Sequence, residues 1–201
     1  MIPQILRSYY KAPAIAVSVS LAILQTPAMA ASPAYMLRGL SHEMAFMKEG
    51  APTLAPFAHI KFCMASPQQC AAEDGPRTVE MTREARETIS AINRSVNSSI
   101  APRLDPPGQE VWKTDTAEGS CHDYAVTKRE KLLAAGYSAK AVRLAVARTG
   151  SGEGHAVVVI RTNDGDMVLD NRTNAIRRWD HTDLHWIEIE SSDDPHMWNA
   201  V

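Results

Sequence analysis

Three shortages shape this chain, and each removes a class of protein. It has only three cysteines in 201 residues, too few for a disulfide-dense scaffold. It has no basic excess, with 21 Lys and Arg against 23 Asp and Glu, so it carries no footprint for nucleic acid. After Leu24 it has no apolar run long enough to span a membrane, and it has neither internal repeats nor low-complexity tracts. What remains is an ordinary globular composition, 45% hydrophobic and 22% charged, sufficient for one core.

The first thirty residues stand apart from that core. Arg7 and Lys11 precede an uncharged stretch from Ala12 to Leu24, and Thr26-Pro27-Ala28-Met29-Ala30 closes with Ala-x-Ala. This reads as a secretory signal peptide over 1–30, with a mature protein beginning at Ala31 as a single domain over 31–201. The stretch is shorter than the roughly 20 residues of a spanning helix. Removing Arg7 and Lys11 leaves 19 basic residues against 23 acidic ones, a net charge of −4. Export to an oxidising compartment pairs Cys63 with Cys70, seven residues on, and leaves Cys121 free. A zinc site at His59, Cys63 and Cys70 is the competing reading, and its spacing fits no common ligand pattern.

Cys121 lies where an irregular stretch turns into a helix. Asp105-Pro106-Pro107-Gly108 excludes helix interior, whereas Tyr124 to Ala135 is rich in helix formers and ends at Gly136. Ser120 is a good N-cap and Asp123 completes an approximate capping box. A cysteine in the first turn sits at the positive end of the helix dipole, which favours the thiolate. Upstream, residues 31–75 are irregular and are expected as loops and short helical turns. Met81, Ala85, Ile89, Ile92 and Val96 form one apolar stripe on a helix from about Val79 to Asn97. Between the two helices, Gln109 and Trp112 are candidate walls of a site around Cys121 and speculative second oxyanion donors.

Beyond Gly136 the apolar period falls to two. Val142 to Ala147, Ala156 to Arg161 and Met167 to Asp170 read as strands, and the segment from Trp179 to Trp198 as a closing strand or two. Helices followed by an antiparallel sheet make an α+β domain. His155 opens the second strand after a glycine-rich approach and is the candidate base, while Asp170 ends the third and is the candidate orienter. A two-residue hairpin loop puts Asp170 on the His155 face: an Asp164-Gly165 loop sets it opposite Val159, and a Thr162-Asn163 loop sets it opposite His155. A three-residue loop turns it away. His122 is a rival base, but neighbouring helical residues point about 100° apart.

Cys121-x-Asp123-Tyr124-Ala125-x-x-Lys128, Gly154-His155-Ala156-Val157 and Val168-Leu169-Asp170-Asn171 together resemble the bacterial transglutaminase-like cysteine proteinases. Phe62-Cys63, Pro67, Cys70 and Trp198 extend the resemblance over nearly the whole mature chain. It implies a papain-like fold, a Cys121-His155-Asp170 triad, a periplasmic address and a protein substrate at the cell surface or in the periplasm. The well-understood relatives are calcium-dependent proteases that release a biofilm adhesin. They carry acidic residues on both sides of the nucleophile; Ser120 and His122 stand there in this chain, so neither a cofactor nor calcium is expected. The same triad also serves acyl transfer of the transglutaminase type, and a noncatalytic periplasmic binding module with a vestigial triad is the reading from another class.

Overall fold

The period-two segments form the middle of an antiparallel sheet, because each offers an apolar side chain to both of its faces. The computed structural model describes residues 45–201 except Pro107; the signal peptide and the start at Ala31 lie outside those residues. In chain order the elements are β1 (Pro52–Thr53), α1 (Phe57–Ala65), a 3-10 turn (Pro67–Cys70), α2 (Arg83–Ser99), β2 (Ala101–Pro102), β3 (Glu118–Gly119) and α3 (Cys121–Ala134). The second half is β4 (Val142–Arg148), β5 (Gly154–Thr162), β6 (Gly165–Leu169), β7 (Arg177–Arg178), a 3-10 turn (Trp179–His181), β8 (His185–Glu190) and β9 (Trp198–Ala200).

Seven strands make one sheet in the order β1-β9-β8-β4-β5-β6-β7, with every neighbouring pair antiparallel. One face presents Leu144, Ala156, Val158, Ile160 and Leu169 to Ala125, Val126 and Leu132 of α3 and Ile89 of α2. The other gathers Ala145, Ala147, Val157, Val159 and Val168 with Met47 and Leu184. The domain is therefore α+β, with helices grouped on one face of the sheet. Among the described residues no helix is long and apolar enough to cross a membrane.

The helices follow their sequences with one exception. α2 starts at Thr82, whose Oγ1 accepts the Ala85 N–H at 3.1 Å, and it buries Ile89, Asn93 and Val96. The exception is α1, in a region expected to be loops and short turns. Its Phe-Ala-His-Ile-Lys-Phe-Cys-Met-Ala run is apolar all round, so no periodic stripe marks it. Pro56 fits just before its first turn, where no backbone donor is lost. The expected Cys63–Cys70 disulfide is present, with Cα atoms 5.5 Å apart, and ties α1 to the 3-10 turn.

α3 occupies the centre. Every residue from His122 to Arg129 is buried, including two cations, so the helix needs internal partners for its charges. Arg129 Nε lies 3.5 Å from Glu190 Oε2, while Glu190 also accepts the Leu144 N–H at 2.8 Å and sits 3.1 Å from His59 Nε2. Removing one member of such a set typically costs about 3 to 5 kcal/mol, because the other charge is stranded.

The hairpin between β5 and β6 has a two-residue loop, Asn163-Asp164, since Thr162 pairs with Gly165. Val158 faces Leu169, so continuing the ladder would set Asp170 opposite Val157, midway between the two registers anticipated. Gly165 has φ of +116° and a Cβ there would lie 2.6 Å from the Ala45 carbonyl oxygen. Both the backbone and the close approach require glycine.

Candidate active site

Cys121 is the first residue of α3, a free thiol that is half-buried. The capping box at Ser120 and Asp123 is formed: Asp123 Oδ2 accepts the Ser120 N–H at 2.9 Å, and Oδ1 accepts the Lys113 N–H at 2.8 Å. One carboxylate thus closes the helix end and holds the preceding loop. A Cβ on Gly119 would lie 2.4 Å from Asp123 Oδ2, so glycine is what lets that carboxylate fold back. Parallel pairing of β2 with β3 sets Ala101 beside Glu118 and Pro102 beside Gly119. This pairing lays the 102–105 segment along the thiol.

His155, Asp170 and Cys121 come together as the strand reading expected. The Ala156 N–H donates to Cys121 Sγ at 3.5 Å, and the charge of the His155 ring favours the thiolate. His155 Nε2 lies 2.9 Å from Asp170 Oδ1, which leaves Nδ1 for the sulfur. Asp170 falls one residue past β6, where the chain is free to turn, and its own position is secured by residues the sequence reading missed. Arg172 donates Nε and Nη2 to Asp170 Oδ2 at 2.9 and 2.7 Å, and its backbone N–H donates to Oδ1 at 2.8 Å. Asp183 holds the far side of that guanidinium at 2.9 and 2.7 Å. Asn97 of α2 donates Nδ2 to the Asp170 carbonyl at 3.2 Å. The available signal was an asparagine, Asn97, one turn beyond Asn93 on the buried stripe of an amphipathic helix.

The charges form a graded series. Burial works against a Cys121 thiolate, but hydrogen bonds from His122, His155 and the Ala156 N–H, with the charge of His155, outweigh it and lower the thiol to about 6. Burial likewise opposes a charged His155, yet Asp170 and Cys121 raise it to about 9. At neutral pH the two form a thiolate–imidazolium pair. Asp170 is buried too, but His155 and Arg172 hold its carboxyl well below the usual range. Burial lowers Lys128 to about 7 against the opposing charge of Asp170.

His122 departs from expectation. The 100° between neighbouring helical residues should carry it away from the thiol, yet the thiol contributes to raising the protonation of its ring. It folds back over the helix end to stack on Trp112, with centroids 5.6 Å apart and planes 6° from parallel. Its Nε2 lies 3.2 Å from Asp105 Oδ2 and 3.5 Å from Asp123 Oδ2.

A cleft of about 740 Å³ opens at the thiol, lined by Cys121 and His155 together with Leu104, Tyr124, Glu153 and Asn171 among others. Gln109 and Trp112 are not part of that lining; Trp112 is buried behind His122. A hard divalent ion takes six to eight oxygens, and several carboxylates near the thiol already have partners within the protein. Asp123 is spent on backbone N–H groups, Asp115 pairs with Lys131 and Glu118 with Arg103. Among the described residues, the one group of three or more possible ligands is His59, Cys63 and Cys70, whose sulfurs are joined to each other.

A profile of the bacterial transglutaminase-like cysteine proteinases matches residues 49–201. No curated protein matches the sequence significantly. Among solved structures, calcium-bound LapG of Legionella pneumophila superposes with a TM-score of 0.52 at 20% identity, over 60% of this chain and 71% of that one. EGTA-treated LapG gives 0.51 at 20% identity, over 61% and 70%. A third LapG structure gives 0.51 at 19% identity, over 60% and 69%. The likeness is one of fold.

Proposed function

Given that the chain belongs to the bacterial transglutaminase-like cysteine proteinases, and is a cysteine peptidase of that kind, we propose that Cys121, His155 and Asp170 are its catalytic triad and that it acts through a thioester in the periplasm. The observation that carries this is the free thiol at the start of α3, sharing its cleft with a histidine whose Nε2 meets a carboxylate at 2.9 Å.

In the resting site the thiol proton resides on His155 Nδ1. Cys121 Sγ attacks the carbonyl carbon of the scissile bond, and the negative oxygen takes the Cys121 N–H, which helix geometry leaves without an intrahelical partner. Collapse expels the amine, which receives the proton from Nδ1, and the acyl group remains on sulfur. Water then attacks the thioester and gives a proton to His155; breaking the C–S bond releases the acid and restores the thiolate. Asp170 keeps the ring oriented and steadies the imidazolium throughout. LapG has been crystallised with calcium, but no step here is routed through a metal, because the carboxylates beside this thiol are engaged elsewhere.

The substrate class is protein, and the expected signal peptide supports a periplasmic or cell-surface one. The test is to trap periplasmic proteins on Cys121→Ala, identify them, and offer them to the wild type. Cleavage that Cys121→Ala and His155→Ala both lose supports the reading. Capture without cleavage by the wild type would instead support a binding module, and transfer of an added primary amine to the substrate would support acyl transfer.

A further inference from the structure

The triad accounts for one of the two histidines that act on the charge of Cys121, and His122 has surroundings a packing residue does not need. Its ring is 4% exposed, is clamped flat against Trp112, and faces three acidic groups: the Cys121 thiol, Asp105 from the loop and Asp123 from the helix. A buried neutral imidazole is satisfied by one donor and one acceptor. Three acidic neighbours instead favour the ring that carries a proton on each nitrogen, and its protonation is raised despite burial. The Asp105 contact is out of line for a directed hydrogen bond, so its effect is charge.

We infer that His122 is a second catalytic histidine, an imidazolium held by Asp105 and Asp123 that stabilises the Cys121 thiolate. The inference rests on Cys121 being the nucleophile. It divides the labour: either imidazolium holds the thiolate, whereas His155, backed by Asp170, delivers the proton to the leaving amine. No net proton is gained or lost, because His122 keeps its own proton and the thiol proton resides on His155.

The probe is iodoacetamide, which requires no known substrate. Its rate with Cys121 is followed against pH in the wild type, His122→Gln, His155→Gln and the double variant, all with the Cys63–Cys70 disulfide intact. Wild-type reactivity should rise near pH 6. Each single variant should rise about one pH unit later, roughly a fivefold loss at pH 6, and only the double variant should approach the free-thiol value of about 8.5. Asp105→Asn keeps the ring and its stacking in place, and should move the profile in the same direction as His122→Gln by a smaller amount. A His122→Gln profile that overlays the wild type, with the double variant equal to His155→Gln, overturns the inference and leaves the triad standing. If His155→Gln overlays the wild type while His122→Gln moves, the triad assignment fails and the role of His122 survives.

Discussion

Two places among the described residues bring cysteine, histidine and a carboxylate together, and only one of them matches the reactive site we propose. At the first, Cys121 meets His155 backed by Asp170 at 2.9 Å. At the second, His59 Nε2 lies 3.1 Å from Glu190 and 3.5 Å from Cys63 Sγ. Residue types and contact distances are alike, yet the second sulfur is bonded to Cys70, and His59 and Glu190 are each 1% exposed. The first opens on a cleft and stands at a helix N-terminus. What distinguishes them is a free sulfur, a path for substrate and a helix end that favours negative charge.

The largest test of that difference is turnover. Cys121→Ala and His155→Ala should each reduce activity to nearly the same floor, on the order of a million-fold down, because the members of a triad act as one unit. His59→Ala should leave the chemical step intact in whatever fraction folds. If active-site titration shows that His59→Ala lowers kcat per competent site as much as His155→Ala, the comparison drawn above is wrong. Asp170→Asn comes next, with a loss of about ten-thousand-fold in kcat and residual turnover still measurable. Arg172→Ala should produce part of that loss, since its side chain holds Asp170 by two bonds.

The pH profile is the third test. kcat/KM should rise as Cys121 ionises near 6 and fall as His155 loses its proton near 9. A single acid limb with no alkaline fall up to pH 10 would show that His155 does not work as an imidazolium.

Smaller effects sharpen the other half. Cys63→Ser with Cys70→Ser should lower stability by roughly 2 to 3 kcal/mol, read as a fall in Tm of several degrees, while native protein keeps its alkylation rate at Cys121. The smallest effect concerns Lys128, whose charge costs stability because burial lowers it to about 7. Below pH 7 it is charged both folded and unfolded, and the cost is full; from 7 up to its ordinary 10.5 the folded form is neutral and the cost fades. Lys128→Met should therefore raise stability most at pH 6 and least near pH 10, by about 1 kcal/mol at the acid end, read as a rise in Tm that shrinks as pH increases.

Much of this arrangement could be read from the chain. The start of α3 followed from Pro106, Pro107 and a capping pattern, and β4 to β6 followed from alternation, because each depends on neighbours in sequence. The face of Asp170 followed once a short loop was assumed. α1 could not be read, since a run apolar on all sides carries no period. The Arg172–Asp183 clamp and the Asn97 tether join elements distant in sequence, and nothing local marks a polar residue as someone else's support. His122 misled for the opposite reason: local helix geometry was used where a contact with Trp112 decides the direction of the ring.

The sheet closes with its first and last strands side by side: Pro52 pairs with Asn199 and Thr53 with Trp198, and Gly50 donates to the Ala200 carbonyl at 2.7 Å. A chain that is threaded from its front end presents β1 long before its partner exists. Until β9 arrives, β8 keeps an open edge and the core lacks Trp198, which is fully buried in the finished fold. The thiol is thus synthesised ahead of the strand that completes the sheet, so a chain that stops short of β9 cannot close its fold.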